Sequence, residues 1–394
     1  MKTVTHPRHH RYDVIVAGAR CAGASTALLL ARQGARVLVV DPLPRGRDTL
    51  STHALMRGGV LQLHRWGLLD GVRASGAPRI TATTFDYGDE VITVPIKEKD
   101  GVDALMAPRR THLDALLAAA AEDAGAEVIH GLSLVSLSRD RGGRVDGAWI
   151  LERDREAFRI SADLVVGADG VRSRTARLAG AEIQFEGSHA TASMYGYWPG
   201  LPDHEYRWSF RPGMGAGIIP THQGEACVFV SVPPASLARA GRRGLEDLFA
   251  AQLHAADPAL ADRIPHARRS GPLRAFPGRP GFLRRAFGPG WALVGDAGYF
   301  RDPLTAHGIS DALRDAELLA RAVFRGTPEA LRDYQDARDA VGRGLLEVTD
   351  DIASLAWTLE EVQALHHRLN REMNAGIELI RSWDRGGPSA AEAA

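Results

Sequence analysis

Apolar and polar residues follow one another in a pattern that predicts alternating strands and helices from the start of the chain. A short apolar run from Tyr12, rich in β-branched residues, predicts a buried strand, and the period of residues 24–34 predicts a helix after it. Gly34 ends this helix, residues 36–40 predict a second buried strand, and Asp41 stands at its carboxyl end. The pattern is that of one β-α-β unit.

Further along the chain, predicted helical stretches alternate with β-rich stretches. Residues 77–95 alternate β-branched and polar positions and predict an antiparallel excursion, and residues 181–277 are β-rich with many turn residues. A buried strand is predicted at 291–297, then a helix from about 308 to 324, and residues 328–383 are predicted to be helical. No internal repeat or low-complexity linker separates these stretches, so we expect a β-rich second domain interleaved with the first.

Composition narrows the class of protein. The chain has 394 residues, of which 45% are hydrophobic and 24% charged, and this fits two or three packed domains and excludes a disordered chain. Its 48 basic residues balance its 48 acidic ones, so the chain has no net positive charge to attract polyanions. Nucleic acid is therefore not expected as a partner. The two cysteines, Cys21 and Cys227, cannot form a disulfide framework and suit a reducing compartment, so we predict a cytoplasmic location.

Neither a membrane span nor a metal site is expected. No stretch approaches about 18 uninterrupted apolar residues, and the polar N-terminus lacks the apolar segment of an export signal. The histidines lack the spacing of metal ligands within one helix, and the three near the N-terminus fit a solvated tail.

The first candidate site is the glycine motif G-A-R-C-A-G between the first predicted strand and helix. Its first glycine, Gly18, suits a tight turn and its last, Gly23, suits close packing of a helix, while Arg20 stands where a second glycine is usual and can pair with a phosphate. Asp41 follows Gly18 by 23 residues, which is the place of a ribose acceptor. We therefore predict a bound dinucleotide, with ligand contacts at Gly18, Arg20, Cys21, Ala22, Gly23 and Asp41.

Two later motifs also place an aspartate beside a glycine at the end of an apolar strand. They occupy residues 167–177 and 295–316, with Asp169 and Asp296 as their acids. Open α/β sheets bind ligands outside the carboxyl ends of their strands. The three strand ends can therefore converge on one extended cofactor.

In this order the three motifs resemble those of FAD-dependent monooxygenases of the para-hydroxybenzoate hydroxylase type, spread over about 300 residues. The third motif is the most specific, because it matches the family pattern at Gly295, Asp296, Ala297, Pro303, Gly308, Asp315 and Ala316. It departs from the family at Ala306, His307 and Ser310, where glycine, glutamine and asparagine are usual.

The resemblance implies bound FAD and assigns roles to these residues. Asp296 would accept a hydrogen bond from the ribityl chain, and Pro303 would pack near the isoalloxazine ring. The helix beginning at Gly308 and Ile309 would aim its N-terminus at the flavin N1 and C2 carbonyl, where reduced flavin carries negative charge.

Two further segments fit this family. Arg110, with Leu113 and Asp114, matches an R-x-x-L-D element whose arginine reaches the FAD, although its neighbour Arg109 leaves the register open by one residue. Near Asp169, the arginine of the family falls on Ala176, so no nicotinamide role is assigned to that segment.

The predicted fold is α/β, with a Rossmann-like FAD-binding domain interleaved with a β-sheet substrate domain, and C-terminal helices. The FAD-binding domain is assigned residues 1–76, 101–180 and 278–345, the substrate domain residues 77–100 and 181–277, and the C-terminal helical segment residues 346–394.

The implied activity is hydroxylation or epoxidation of an electron-rich aromatic or polyketide-like small molecule with O2, through a flavin C4a-hydroperoxide. His53 and His307 are candidates for the active site, and an imidazole at His307 would titrate near neutral pH. The predicted substrate contacts are Tyr195, Tyr197, Trp208, Phe210 and Ile218. No second glycine fingerprint follows a later strand, so electrons are expected from NAD(P)H that visits the flavin or from a partner flavin reductase.

Three alternatives stay open. The run around Tyr206, Trp208 and Phe210 partly resembles an element of geranylgeranyl reductases, which would make the chain an isoprenoid reductase, although Arg211 interrupts it. A flavin-dependent halogenase is disfavoured, because lysine occurs only at positions 2, 97 and 99 and that reaction needs an active-site lysine. A protein that keeps the FAD fold only for binding is disfavoured by the residues of the third motif.

Overall fold

The central sheet grows from the first predicted strand. The structure, a computed structural model, describes residues 6–152, 155–201, 204–264 and 268–385. In it β1 (Arg11–Ala17) pairs in parallel with β2 (Val37–Asp41) on one side and β8 (Phe158–Gly167) on the other. β5 (Glu127–His130) continues the sheet beyond β2, and β17 (Trp291–Leu293) continues it beyond β8, both in parallel. We call this the parallel sheet.

Antiparallel strands complete its margins. β6 (Leu132–Arg139) and β7 (Val145–Glu152) form a hairpin that joins β8, and β16 (Phe287–Gly288) turns back on β17. The strands of the parallel core are buried on both faces, which explains their continuous apolar sequences.

A second sheet draws its strands from two separated stretches of chain. Within the described residues its order is β14-β10-β13-β12-β11-β3-β4, and all neighbours are antiparallel except β11 and β3. The strands are β3 (Ala82–Asp86), β4 (Val91–Pro95), β10 (Ala192–Pro199), β11 (Glu205–Arg211), β12 (Met214–Pro220), β13 (Glu225–Val232) and β14 (Arg274–Phe276). They lie inside the two ranges assigned to the substrate domain, whose exact bounds stay a prediction.

A small sheet and a set of helices surround these two. The small sheet joins β9 (Ile183–Glu186), β15 (Phe282–Arg284) and β18 (Tyr299–Phe300) within the described residues. The helices are α1 (Cys21–Arg32), α2 (Arg57–Arg65), α3 (Leu69–Ala74), α4 (Arg110–Asp123), α5 (Arg174–Ala179), α6 (Pro234–Ala240), α7 (Leu245–Ala256), α8 (Pro258–Arg263), α9 (Gly308–Arg325), α10 (Pro328–Ala353) and α11 (Leu359–Arg385).

Helices pack on both faces of the second sheet. On its outer face, Ile218 and Val230 pack with Phe249 of α7. On its inner face, aromatic side chains of β10 and β11 pack with residues of the C-terminal helices α10 and α11. The α/β fold class with an interleaved β-sheet unit and C-terminal helices is confirmed, and the inner face supplies one wall of the cavity described next.

Candidate functional site

A cavity of about 810 Å³ lies where the strand ends of the parallel sheet meet the inner face of the second sheet. This volume falls in the range of small-molecule sites, about 300–1,000 Å³. The predicted cofactor contacts that border it are Gly18, Arg20, Cys21, Ala22, Asp41, Arg110, Asp169, Asp296, Pro303, Gly308 and Ile309. The structure therefore brings residues of all three motifs to one cavity, which we call the first cavity.

Gly23 and Gly295 are absent from this lining because they serve the packing beneath it. A Cβ at Gly23 would lie 1.8 Å from the carbonyl oxygen of Gly18, and one at Gly295 would lie 2.9 Å from the Cβ of Ala22. Gly18 itself has φ 107, and a Cβ there would lie 2.5 Å from the oxygen of Ala168. The first turn therefore requires glycine at Gly18 and Gly23, two of the glycine positions of the Rossmann motif, and the third motif requires it at Gly295.

Arg20 stands at the N-terminus of α1 and borders the first cavity. Its backbone is extended, with φ −94 and ψ −170, and α1 begins at the next residue. The first N–H groups of a helix lack intrahelical partners and attract anions. A guanidinium at this place can pair with a phosphate, so the substitution of the usual glycine keeps the site suited to a pyrophosphate.

Asp41 holds the same turn from the end of β2. Its Oδ2 accepts a hydrogen bond from the Ala19 N–H at 2.9 Å, and its Oδ1 accepts one from Leu43 N–H at 2.8 Å. Each carboxylate oxygen has a second lone pair, so Asp41 can still accept from a ribose hydroxyl at the cavity.

Asp169 differs, because its carboxylate is occupied by the turn between β8 and α5. Oδ2 accepts hydrogen bonds from the N–H groups of Arg174 (2.8 Å) and Thr175 (2.9 Å), and Oδ1 accepts one from the Ser173 hydroxyl. Asp169 therefore shapes the rim of the cavity. Exposed arginines that the motif did not predict, among them Arg172, also line this rim.

Asp296 faces the first cavity from the end of β17 without a hydrogen-bond partner among the described residues. Burial raises the pKa of its carboxyl to about 6; Arg110 opposes the rise, and Asp311 adds to it. Such a carboxylate gains from a ligand hydroxyl that donates to it. This is the environment expected for the acceptor of a ribityl hydroxyl.

The structure places the two neighbouring arginines in different surroundings. Arg110 begins α4, borders the first cavity and donates from Nε to Oδ1 of Asp114 at 3.0 Å. Arg109 turns the other way, pairs with Glu225 at 2.9 Å, and lies 3.6 Å from the ring centroid of Tyr197. The register that assigns Arg110 to the cofactor is the one that reaches the cavity.

The N-terminus of α9 points at the cavity from the third motif. Pro303 begins a short 3-10 turn, Ala306 follows with φ 56, and Gly308 opens the helix with nothing within 4 Å of the place of a Cβ. Because the first N–H groups of α9 are free of intrahelical partners, they can stabilise negative charge on a ring bound against Gly308.

His307 departs from its prediction. It borders a different cavity, described below, and burial lowers its pKa to about 4, with Arg301 adding to the effect. An imidazole that titrates near neutral pH is therefore not what the structure has, because the charged form loses its hydration inside the protein.

His53 lies in the wall of the first cavity and is 1% exposed. Its Nε2 forms a hydrogen bond with the hydroxyl of Tyr197, and its buried Nδ1 has no partner among the described residues. Burial lowers the pKa of His53 well below its usual value, and Arg109 and Arg110 lower it further. His53 is thus a neutral imidazole that borders the cavity and has one buried, unpaired nitrogen.

The aromatic face of the second sheet supplies the opposite wall, but only part of the predicted set reaches it. Tyr195 and Trp208 border the first cavity, while Tyr197 does not border it and stacks against His53. Phe210 packs against His366, with ring centroids 4.5 Å apart, and does not border the cavity.

Ile218 is a correction, because it lies on the outer face of the sheet among the residues packed against α7. Its neighbour Ile219 borders the cavity instead. Side chains alternate along a strand, and the register that pairs Trp208 with Gly217 turns the odd-numbered residues of β12 inward. Two of those residues, Gly215 and Gly217, have no side chain, so the sequence hid which face is inner.

Several cavity residues were missed by sequence reasoning. The second sheet contributes Ser193, Phe229, Ser231 and Phe276, the small sheet contributes Phe300, and the loop before His53 contributes Thr49, Leu50, Ser51 and Thr52. Alternation along β13 from Cys227 could have indicated Phe229 and Ser231 once the inner face was known. The loop carries no comparable signal.

The residues present fit FAD. The glycine turn, Arg20 and Asp41 suit an adenosine diphosphate, whereas Asp296 offers an unpaired acceptor where the cavity approaches the open N-terminus of α9. No group of three or more potential metal ligands occurs in the described part of the chain. Across the same residues, no helix combines the length and the apolar character that crossing a bilayer requires.

Comparisons with known proteins agree with this geometry. Menaquinone reductase from Mycolicibacterium smegmatis is 29% identical over 348 residues, which is 83% of this chain and 79% of that protein. The structure of the flavin-dependent brominase Bmp2 superposes with a TM-score of 0.77 at 19% identity, covering 96% of this chain and all of that one. PqsL from Pseudomonas aeruginosa, a probable FAD-dependent monooxygenase, superposes with a TM-score of 0.75 at 23% identity, covering 92% and 100%.

The family model described as FAD binding domain matches residues 11–349, which is most of the chain. This range contains all three strand-end motifs. The chain therefore belongs to the FAD binding domain family of flavin-dependent oxidoreductases.

Proposed function

We propose that this protein is an FAD-dependent monooxygenase that hydroxylates or epoxidises an electron-rich aromatic or polyketide-like small molecule. When bound and reduced, FAD supplies the reaction with O2 and the transfer of one oxygen atom. The protein supplies binding, orientation, proton placement and exclusion of water. The electrons are assigned to NAD(P)H or to a partner flavin reductase.

The observation that carries this proposal is that the first cavity has two chemically different ends. One end has the glycine turn and Asp41 for a nucleotide, and the other lies between the N-terminus of α9 and the aromatic sheet face at Tyr195 and Trp208. A substrate at the second end would lie between the sheet and the flavin ring. With flavin and substrate bound, the aromatic wall would shield that place from bulk water, which oxygen transfer requires.

His53 is the residue that we assign to the substrate. Its bond to Tyr197 fixes the ring, so the unpaired Nδ1 can form a hydrogen bond with a substrate hydroxyl or amine. Because the imidazole is neutral, it can accept or donate one hydrogen bond without burying a new charge beside Arg109 and Arg110. The same residues therefore orient a phenolic or indolic group.

The alternatives receive less support from the side chains. Lys97 and Lys99 are exposed and do not border the first cavity, so the described residues place no lysine there for a halogenase. For an isoprenoid reductase, Tyr206, Trp208 and Phe210 should form a common cage. Tyr206 instead donates its hydroxyl to the carbonyl oxygen of Met106 at 2.6 Å, and of these three aromatic residues Trp208 alone borders the first cavity.

The decisive experiment follows the fate of the oxygen. The FAD-loaded protein is reduced under argon with NADH, NADPH or a separate flavin reductase, and then mixed with isotopically labelled O2 and a panel of phenols, indoles and aromatic polyketides. We expect a product that carries one labelled oxygen atom. A product that gains two hydrogen atoms without label, formed equally well without O2, would overturn the proposal in favour of a reductase.

His53→Asn tests the assigned residue, because asparagine tolerates the positive φ of 69 at this position but lacks the imidazole. We expect unchanged flavin content and a smaller fraction of consumed O2 recovered in product. His222→Asn is the matched control, since His222 is also a buried histidine of lowered pKa but does not border the first cavity. Equal losses of coupling in both variants would contradict the role of His53.

A further inference from the structure

A second cavity of about 390 Å³ lies on the far side of the first turn of α9. Its walls include the β3–β4 margin of the second sheet, the starts of α2 and α9, and one face of α11. Phe85 and Ile92 border it from the sheet, and Met373 and Ile377 border it from α11. Asn370, at its α11 side, is exposed and marks the opening toward solvent. The function proposed above does not use this space.

The turn that opens α9 separates the two cavities. Ala306, Gly308 and Ile309 border the first cavity, whereas His307 and Ser310 border the second. On the sheet, Trp208 of the first cavity stacks with Phe85 of the second at 5.9 Å between ring centroids. The two spaces are therefore neighbours along one aromatic face, divided by a few side chains.

The walls of the second cavity are mostly apolar, but they contain an oriented acceptor. The Nδ1 of His307 is bonded to the carbonyl oxygen of Thr305, and because a carbonyl can only accept, Nδ1 must carry the proton. The Nε2 of a neutral His307 is then a lone-pair acceptor, and no protein donor is bonded to it in the described residues. His307 is 6% exposed, so water has little access to it.

A second polar residue lies at the same end of the cavity, with its hydroxyl close to Gly59 of α2. Ser310 is 8% exposed, borders the second cavity, and its buried hydroxyl has no hydrogen-bond partner among the described residues. Buried polar groups are normally paired, with protein, water or ligand. The unpaired acceptor of His307 and the apolar lining around Met373 therefore favour an occupant with a hydrogen-bond donor at the α9 end and an apolar body toward α11.

The volume limits the occupant. A water takes about 30 Å³ in the liquid, so a cavity of 390 Å³ holds roughly a dozen groups of that size. This is the size of an alkylphenol or a medium-chain alcohol, and it is too small for a nucleotide cofactor.

We propose that the second cavity is a binding site for an amphipathic small molecule whose hydroxyl or amide N–H donates to Nε2 of His307 and whose apolar body packs between Phe85 and Met373. The inference goes beyond the proposed function, because it concerns binding at a site separate from the flavin cavity and does not depend on which reaction the flavin performs.

The test uses 4-hexylphenol as the probe, titrated calorimetrically into the FAD-loaded protein without a reductant. Met373→Trp fills the second cavity, and Ala375→Trp places the same side chain on an exposed position of α11 that does not border it. Ser231→Phe fills the first cavity instead. We expect Met373→Trp to weaken binding about tenfold or more, while the other two variants bind as the wild type does.

A second comparison tests the hydrogen bond. The methyl ether 4-hexylanisole lacks the donor, and we expect it to bind about 2- to 10-fold more weakly than the phenol, the factor for one neutral hydrogen bond. His307→Leu should remove this preference and His307→Gln, which keeps an acceptor, should restore it. Because the preference is a ratio within one variant, it stays readable even where overall stability changes.

The inference is overturned if 4-hexylphenol does not bind, if Ser231→Phe removes binding while Met373→Trp does not, or if the phenol and its ether bind equally. Failure of the labelled-oxygen experiment would leave these results untouched, since no turnover is measured here.

Discussion

Asp296 offers the sharpest test of the flavin site. We expect its buried carboxylate to lower the stability of the FAD-free protein and to accept a hydrogen bond from FAD when the cofactor binds. Burial raises its pKa from 3.8 to about 6, with Arg110 opposing and Asp311 adding to the rise. No group in the described residues donates a hydrogen bond to it. Asp296→Asn should therefore stabilise the FAD-free protein at neutral pH.

The magnitude follows from the shift. A folded-state pKa above the unfolded value means that the native protein binds the proton more tightly. The tighter proton binding stabilises the folded protein below about pH 4, and this stabilisation is lost as the pH rises through about 6. About two pKa units at 1.36 kcal/mol each give a loss of ~3 kcal/mol in the free energy of unfolding. Asparagine does not ionise, so the variant should gain up to that amount on the wild type between about pH 4 and pH 8.

The assay is denaturant unfolding of both FAD-free proteins at several pH values across this window. Asp302→Asn is the matched control, since burial also raises the pKa of Asp302 to about 6. Its carboxylate, however, accepts hydrogen bonds from Thr191 N–H at 2.6 Å and Leu304 N–H at 3.0 Å. An amide replaces one acceptor oxygen by a donor, so Asp302→Asn should be less stable than the wild type by about 1–3 kcal/mol.

The same Asp296→Asn protein should bind FAD more weakly, by roughly 10- to 100-fold, because a hydrogen bond to a charged acceptor is replaced by a neutral one. Titration of the FAD-free proteins with FAD measures this. A stability difference that does not change with pH, or flavin affinity equal to that of the wild type, would refute the reasoning for this residue.

Three further variants test the geometry of the cavity. Gly23→Ala puts a Cβ 1.8 Å from the Gly18 oxygen, so the variant should lack bound flavin and have a lowered Tm. A flavin-loaded variant of normal Tm would show that the turn can relax. Ala306→Gly removes about 1 kcal/mol of strain at φ 56, and the greater freedom of the unfolded glycine variant partly offsets this gain. The Tm measured by calorimetry should therefore stay equal or rise by a few degrees. A fall in Tm would count against strain at this position. Arg110→Met should weaken FAD binding about tenfold, whereas Arg109→Met should keep the flavin and lower the Tm. Equal loss of flavin in titrations of both variants would contradict the assignment of Arg110 to the cofactor.

Much of the fold could be predicted because local patterns and the sheet agree. The apolar runs that became β1, β2 and β8 are continuous, as expected of parallel strands buried on both faces. In the first motif, Gly23 is required by its contact with Gly18 five residues earlier, and Gly18 by its positive φ. Requirements of this kind leave a trace in sequence, since only one residue type satisfies them.

The substrate side of the site was harder to predict, for a reason visible in β12. Its inner face presents Gly215, Gly217 and Ile219, while its outer face presents Met214, Ala216 and Ile218. The outer face is the more apolar of the two, because α7 covers it, and an assignment from hydrophobicity alone therefore selects the wrong isoleucine. Which face is inner depends on the neighbouring strand, not on β12.

By itself, the sequence determined the strand-end motifs, the order of the elements and the cofactor class, because backbone conformation and close packing restrict those positions to few residue types. Only the tertiary structure decided that His307 turns away from the flavin cavity, that Arg110 rather than Arg109 reaches it, and that α11 closes a second cavity over β3 and β4. These outcomes depend on how helices from distant parts of the chain dock on the sheets, and such long-range packing leaves no local pattern.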